Sequence, residues 1–193
     1  MVKRHCRLAK TMLKTFAQFF LRTFVLSALI FIIAANASAV FTGYSNQIAT
    51  AREKNFNYDF SVRDTSGRKI SFTEFRGKVL FINLWATWCG PCRSEMPTIE
   101  QLYQDAGSDE IKFVMLSLDT EKTLKNIEGY IKANAYTFPV YTPSGYLPEQ
   151  FQVSYIPATF IVSKQGKILM TVTGGTDFNV PKYKKLLEEE AAR

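Results

Sequence analysis

A strand that delivers two cysteines into the first turn of a helix leaves few folds open to this chain. Lys78-Val79-Leu80-Phe81-Ile82-Asn83-Leu84 is a nearly continuous apolar run and predicts a strand buried on both faces. Trp88-Cys89-Gly90-Pro91-Cys92 follows it. From Arg93 to Ala106, residues Met96, Ile99, Leu102 and Ala106 recur at helical spacing, which predicts a helix. Helix starts present unpaired N–H groups and a partial positive charge. A thiolate at Cys89 is stabilised there, and the thiolate is the reactive form of the side chain. Pro91 suits a first turn, having no N–H to leave unpaired.

The pair reads as a redox dithiol. Half of a zinc site is the competing reading, but the third cysteine is Cys6 and the one histidine is His5, so no second ligand pair completes it. A single C-x-x-C also leaves no framework of structural disulfides. No metal or cofactor is expected. The net charge of +7 does not argue for nucleic acid. Lys3, Arg4, Arg7, Lys10, Lys14 and Arg22 lie in residues 1–39, which hold no acid; removing those six from the 24 basic residues leaves 18 against 17 acids.

Those first 39 residues form a leader. A basic front precedes the apolar run from Phe24 to Ala35, and Ala37-Ser38-Ala39 fits a small-residue cleavage site. The apolar stretch can also be extended through Phe41, so that residues 24–41 form an uncleaved membrane anchor near the lower length limit for a span. Both readings stand, and either one exports the rest of the chain. Residues 40–55 read as a connector and residues 56–193 as the folded domain.

Within that domain, Tyr58–Val62 and Arg68–Phe72 alternate around Thr65-Ser66-Gly67 and predict an N-terminal hairpin. Lys112–Leu118 predicts a second buried strand, ending at Asp119. A helix is expected over Thr120–Asn134, a short extended piece over Phe138–Tyr141, and one or two helical turns over Leu147–Phe151. A strand over Tyr155–Val162 then turns at Lys164–Lys167 into Ile168–Val172. A last helix opens at Pro181, with Glu188-Glu189-Glu190 read as a solvated, fraying end. This alternation defines an α/β fold.

Trp-Cys-Gly-Pro-Cys after a strand resembles the redox motif of the thioredoxin superfamily. The N-terminal hairpin, the helix and strand inserted between Cys92 and Pro157, and the leader are together similar to the TlpA/ResA/CcmG group of thiol–disulfide oxidoreductases. The resemblance implies a thioredoxin-like three-layer sandwich around a central mixed sheet. It also implies reduction of protein disulfides, apocytochrome c among them, with electrons from a transmembrane thiol donor.

Cys89, at the helix start, is expected to attack, and Cys92 to resolve the mixed disulfide. Trp88, Gly90 and Pro91 are expected to meet substrate, although Trp88 can equally be a core side chain. Ile156-Pro157 resembles the cis-proline beside the site in this superfamily, which would offer the Ile156 backbone to a bound peptide. Glu95 follows Cys92 by three residues. It is either the base that takes the Cys92 proton or a carboxylate favoured by the helix dipole. Thioredoxin carries a buried aspartate where this chain has Asn83, so that base is missing. An oxidase for secreted proteins and a copper-handling protein of thioredoxin fold are the alternatives. The second lacks the histidine such proteins pair with their cysteines, and a peroxidase does not fit this cysteine setting.

Overall fold

The computed structural model describes residues 55–193. The expected leader and residues 40–54 of the connector lie outside the described residues. At the centre is the strand β3 (Val79–Trp85), whose seven residues are all buried. An apolar run of this kind needs cover on both faces, and it has it. The described residues form one mixed sheet. The hairpin strands are β1 (Ser61–Asp64) and β2 (Lys69–Ser71). After β3 come β4 (Ile111–Ser117), β5 (Val140–Pro143), β6 (Ala158–Val162) and β7 (Ile168–Thr173). Their spatial order is β2-β1-β5-β4-β3-β6-β7. β3, β4 and β5 run parallel, and the flanking pairs are antiparallel.

Helix α1 (Gly90–Ala106) links β3 to β4, and α2 (Lys125–Ala133) links β4 to β5. Both crossovers step the same way across the sheet. Right-handed connections therefore place both helices on one face. The last helix, α3 (Pro181–Ala191), joins them there. On β3 the side chains alternate. Val79, Phe81 and Trp85 pack under the helices, while Leu80, Ile82 and Leu84 face the other way.

That other face has no α-helix among the described residues. Phe56, Tyr58, Phe60, Phe72, Phe75 and Phe151 cover it from extended chain and two short 3₁₀ turns, Phe72–Phe75 and Glu149–Phe151. Phe60 stacks on Phe72 at 4.2 Å between centroids. The third layer of the expected sandwich is thus a sheet of aromatic rings. Phe56 belongs to it, and its N–H bonds to the Gly166 carbonyl at 2.7 Å. Asn55 bridges to Lys167. The domain therefore already includes the end of the expected connector. Gly166 turns the β6–β7 hairpin at φ +80°, and a Cβ there would come within 3.2 Å of the Tyr58 ring.

Three expectations on elements need correction. The helix expected from Thr120 begins at Lys125, because the Thr123 hydroxyl accepts the Thr120 N–H and donates to the Thr120 carbonyl, which holds a separate turn. Tyr155–Pro157 are not strand; β6 starts at Ala158. Glu190 is not solvated: it is buried and accepts from Arg193 Nη1 at 2.6 Å. Glu188 and Glu189 keep loose i,i+4 pairs with Lys184 and Lys185, at 3.9 and 3.7 Å.

The aromatic layer rests on Phe72, which is fully buried among Phe56, Tyr58, Phe60 and Phe75. Phe72→Ala is expected to lower stability by about 3–5 kcal/mol. A denaturant titration reads it as a lower midpoint with an unchanged slope.

Candidate active site

Cys89 and Cys92 are joined by a disulfide, with S–S 2.03 Å. Cys89 is the N-cap of α1, and its sulfur accepts the Cys92 backbone N–H at 3.2 Å. A sulfur at this place is met by a donor and by the positive end of the helix. Cys89 is 6% exposed and Cys92 0%, so the first cysteine is the more accessible, though far from open in the disulfide form. Gly90 and Pro91 are exposed in the first turn. Trp88 is 62% exposed, which removes the core-packing alternative for its ring. Ile156-Pro157 is cis. The Ile156 carbonyl oxygen lies 3.8 Å from the Cys89 sulfur, and the Pro157 carbonyl accepts from Gly174 N–H at 2.8 Å. The structure thus brings Cys89, Cys92 and the Ile156-Pro157 backbone to one place.

Beneath them lies Glu95. Three residues on from Cys92, it faces the sheet and is 3% exposed. Strand alternation puts Asn83 on the helix side of β3, between Phe81 and Trp85, and Thr159 directly opposite it on β6. Asn83 Nδ2 donates to Glu95 Oε1 at 2.8 Å and to Thr159 Oγ1 at 2.9 Å. Thr176 N–H donates to Glu95 Oε2 at 3.0 Å. Burial pushes the Glu95 carboxyl up to about 7; the bonds from Asn83 and Thr176 pull it down, and burial wins. Both donors are neutral, so no positive charge holds the carboxylate. Glu95 lies beyond the first turn of α1, the turn in which the helix dipole acts most strongly on a carboxylate. Thr98 Oγ1 takes the Phe178 N–H at 3.0 Å, which seats the segment carrying Thr176 on α1.

A second network sets the loop between β3 and the cysteines. Thr87 donates to Asp119 from its backbone N–H at 2.9 Å and from its hydroxyl at 2.7 Å, and Ser117 Oγ donates at 2.7 Å. Burial pushes the Asp119 carboxyl up, but the bonds from Ser117 and Thr87 outweigh it and hold it below its ordinary range. Sequence reasoning left Thr87, Asp119, Thr159 and Thr176 unassigned. Asp119 carried a usable signal. β3 and β4 are parallel neighbours, so the first acid after β4 lies beside the loop after β3. Thr176 carried none. Among the described residues no three His, Cys, Asp or Glu side chains gather as a metal site.

A thioredoxin-like α/β fold with a bonded Cys-x-x-Cys at the strand–helix junction defines a thiol–disulfide oxidoreductase. The chain belongs to the AhpC/TSA family, whose pattern matches residues 54–170. It is 28% identical over 172 residues to the thiol-disulfide oxidoreductase ResA of Bacillus subtilis, covering 88% of this chain and 93% of that protein. Among solved structures it is similar to StoA of B. subtilis, at 29% identity and TM-score 0.54, covering 69% of this chain and 96% of that one. A thioredoxin-family thiol:disulfide interchange protein from Chlorobium tepidum gives 25% identity and TM-score 0.58, covering 73% and 98%.

A raised carboxyl makes stability depend on pH. The folded protein keeps the Glu95 proton that the unfolded chain releases near pH 4.3. Its contribution is full below that value and is lost as pH rises through about 7. Stability of the oxidised protein is expected to fall by up to about 3 kcal/mol across that window. Glu95→Gln, which cannot ionise, is expected to remove this dependence in denaturant titrations at successive pH values.

Proposed function

We propose that this chain is an extracytoplasmic protein-disulfide reductase. Residues 1–39 are its signal peptide or membrane anchor, residues 40–55 a connector, and residues 56–193 the working domain. The observation that carries the reading is the gathering of parts at the disulfide: a helix-start sulfur, the Ile156 carbonyl beside it, and a buried carboxyl one helical turn further on.

In the reduced protein the Cys89 thiolate attacks one sulfur of a substrate disulfide. The S–S bond breaks, the other substrate sulfur leaves as a thiolate, and it takes a proton from solvent. Cys92 then gives its proton to the Glu95 carboxylate and attacks the Cys89 sulfur. The mixed disulfide breaks, the second substrate sulfur leaves as a thiolate that takes a proton from solvent, and the Cys89–Cys92 disulfide forms. Two electrons and two protons from a thiol donor restore the dithiol. Gly90 and Pro91 leave the approach to Cys89 open. Trp88 offers an apolar surface to the substrate, and the Ile156 carbonyl at Pro157 offers it a backbone partner.

An export leader, a single C-x-x-C and the likeness to ResA support location outside the cytoplasm. The donor is then a thiol carrier that crosses the membrane. The resemblance to the ResA/CcmG group supports apocytochrome c as a substrate.

Partner trapping in cells tests chemistry and location together. Cys92→Ala is expected to accumulate mixed disulfides through Cys89, and Cys89→Ala to accumulate none. A membrane-impermeant thiol reagent added to intact cells is expected to block that trapping. Accumulation by Cys89→Ala instead would reverse the order of attack. Trapping untouched by the reagent would place the domain in the cytoplasm.

A further inference from the structure

Asn83 is fully buried, yet its Oδ1 has no hydrogen-bond partner, while its Nδ2 makes two bonds. Leaving a buried carbonyl oxygen unpaired costs about 1–3 kcal/mol. The partners explain why an amide stands here. An amide has an acceptor end and a donor end of nearly the same shape. The Thr159 hydroxyl both donates and accepts, and the Glu95 carboxyl accepts when ionised and donates when protonated. Turning the Asn83 amide by half a revolution reverses both contacts without moving any backbone. Oδ1 then accepts from the Glu95 acid and from the Thr159 hydroxyl.

We infer that Asn83 is a positioning residue for the disulfide exchange: its amide, set by Thr159, holds the Glu95 carboxyl below Cys92 in both protonation states. It donates to the carboxylate and, turned over, accepts from the acid. The inference rests on Glu95 as the acceptor of the Cys92 proton. A group that takes and later releases a proton must keep its place through both states, and a partner that only donates or only accepts would let go in one of them. Aspartate at position 83 would set two carboxyls about 2.8 Å apart, where one must stay protonated. Leucine would offer neither end.

The groups that face Glu95 are few. From β3 comes Asn83 and from β6, through Asn83, Thr159, while Cys92 stands three residues earlier on its own helix. The segment after β7 supplies the Thr176 N–H, and Asp177 is the other acid lining the adjoining cleft.

NMR titration of the oxidised protein is the test. The side-chain NH₂ resonances of Asn83 are expected to move with the same midpoint as the Glu95 carboxyl carbon. In Asn83→Leu the Glu95 midpoint is expected to rise by about one pH unit or more, because the charge-assisted bond to the carboxylate is worth more than the neutral bond from the acid. The pH profile of mixed-disulfide breakdown is expected to shift with it. Thr159→Val is expected to raise the midpoint less, and Thr159→Ser to keep the wild-type value. That pair, with the wild-type titration, decides the matter if Asn83→Leu does not fold. Asn83 resonances indifferent to the Glu95 titration, or an unmoved midpoint in Asn83→Leu, would overturn the inference while leaving Glu95 as acceptor. A midpoint that moves while the breakdown profile stays fixed would overturn the acceptor role, and the positioning role with it.

Discussion

The burial of one carboxyl between α1 and the β3–β6 ladder is the constraint on which the site depends. Glu95 is removed from water by α1 above and the β3–β6 ladder below, with two neutral donors and no cation among the described residues to offset the loss of hydration. A carboxylate so placed is costly, and the proton is the cheapest remedy. The result is an acid that holds its proton up to about pH 7, one helical turn from the cysteine proposed to give one up. Much of the surrounding structure serves that burial. The Asn83–Thr159 register sets the floor, and the Thr98–Phe178 bond seats the segment that brings Thr176 over the carboxyl.

The sulfur end of the site answers to different forces. Cys89 gains from the helix start and from the Cys92 N–H, both fixed by the backbone. Asp119 holds Thr87 by two bonds, so the loop that presents Trp88 and Cys89 is anchored to the end of β4. The proposed acceptor and the proposed nucleophile thus stand on separate supports: one on side chains across β3 and β6, the other on a helix end and a tethered loop.

What the sequence made legible follows from what is local. The cysteine spacing, the apolar strand and the helical repeat each depend on neighbours in the chain, and the strand–helix junction follows from them. The Ile156-Pro157 bond was legible by resemblance, and the structure has it cis. The neutral character of Asn83 was legible too, but its bond to Glu95 was not. That bond joins a strand to a helix and becomes visible only when alternation along β3 is combined with the facing of α1. Thr176, 81 residues beyond Glu95, acts through its backbone, and any residue type but proline could have supplied that N–H. The aromatic layer was hidden for a related reason. Its phenylalanines sit in short, irregular pieces without period, so composition showed them and pattern did not say where they pack. Glu190 read as solvent-facing because its partner, Arg193, adjoins it only once the helix has ended.

The central claim is that Glu95 takes the proton of Cys92 as the mixed disulfide resolves. Stopped-flow measurement of mixed-disulfide breakdown against pH, for wild type and Glu95→Gln, tests it most directly. The account predicts that the variant is slower by about 10²-fold near neutral pH, with the two curves converging at high pH, where Cys92 ionises unaided. Profiles that overlap across the whole range would contradict it.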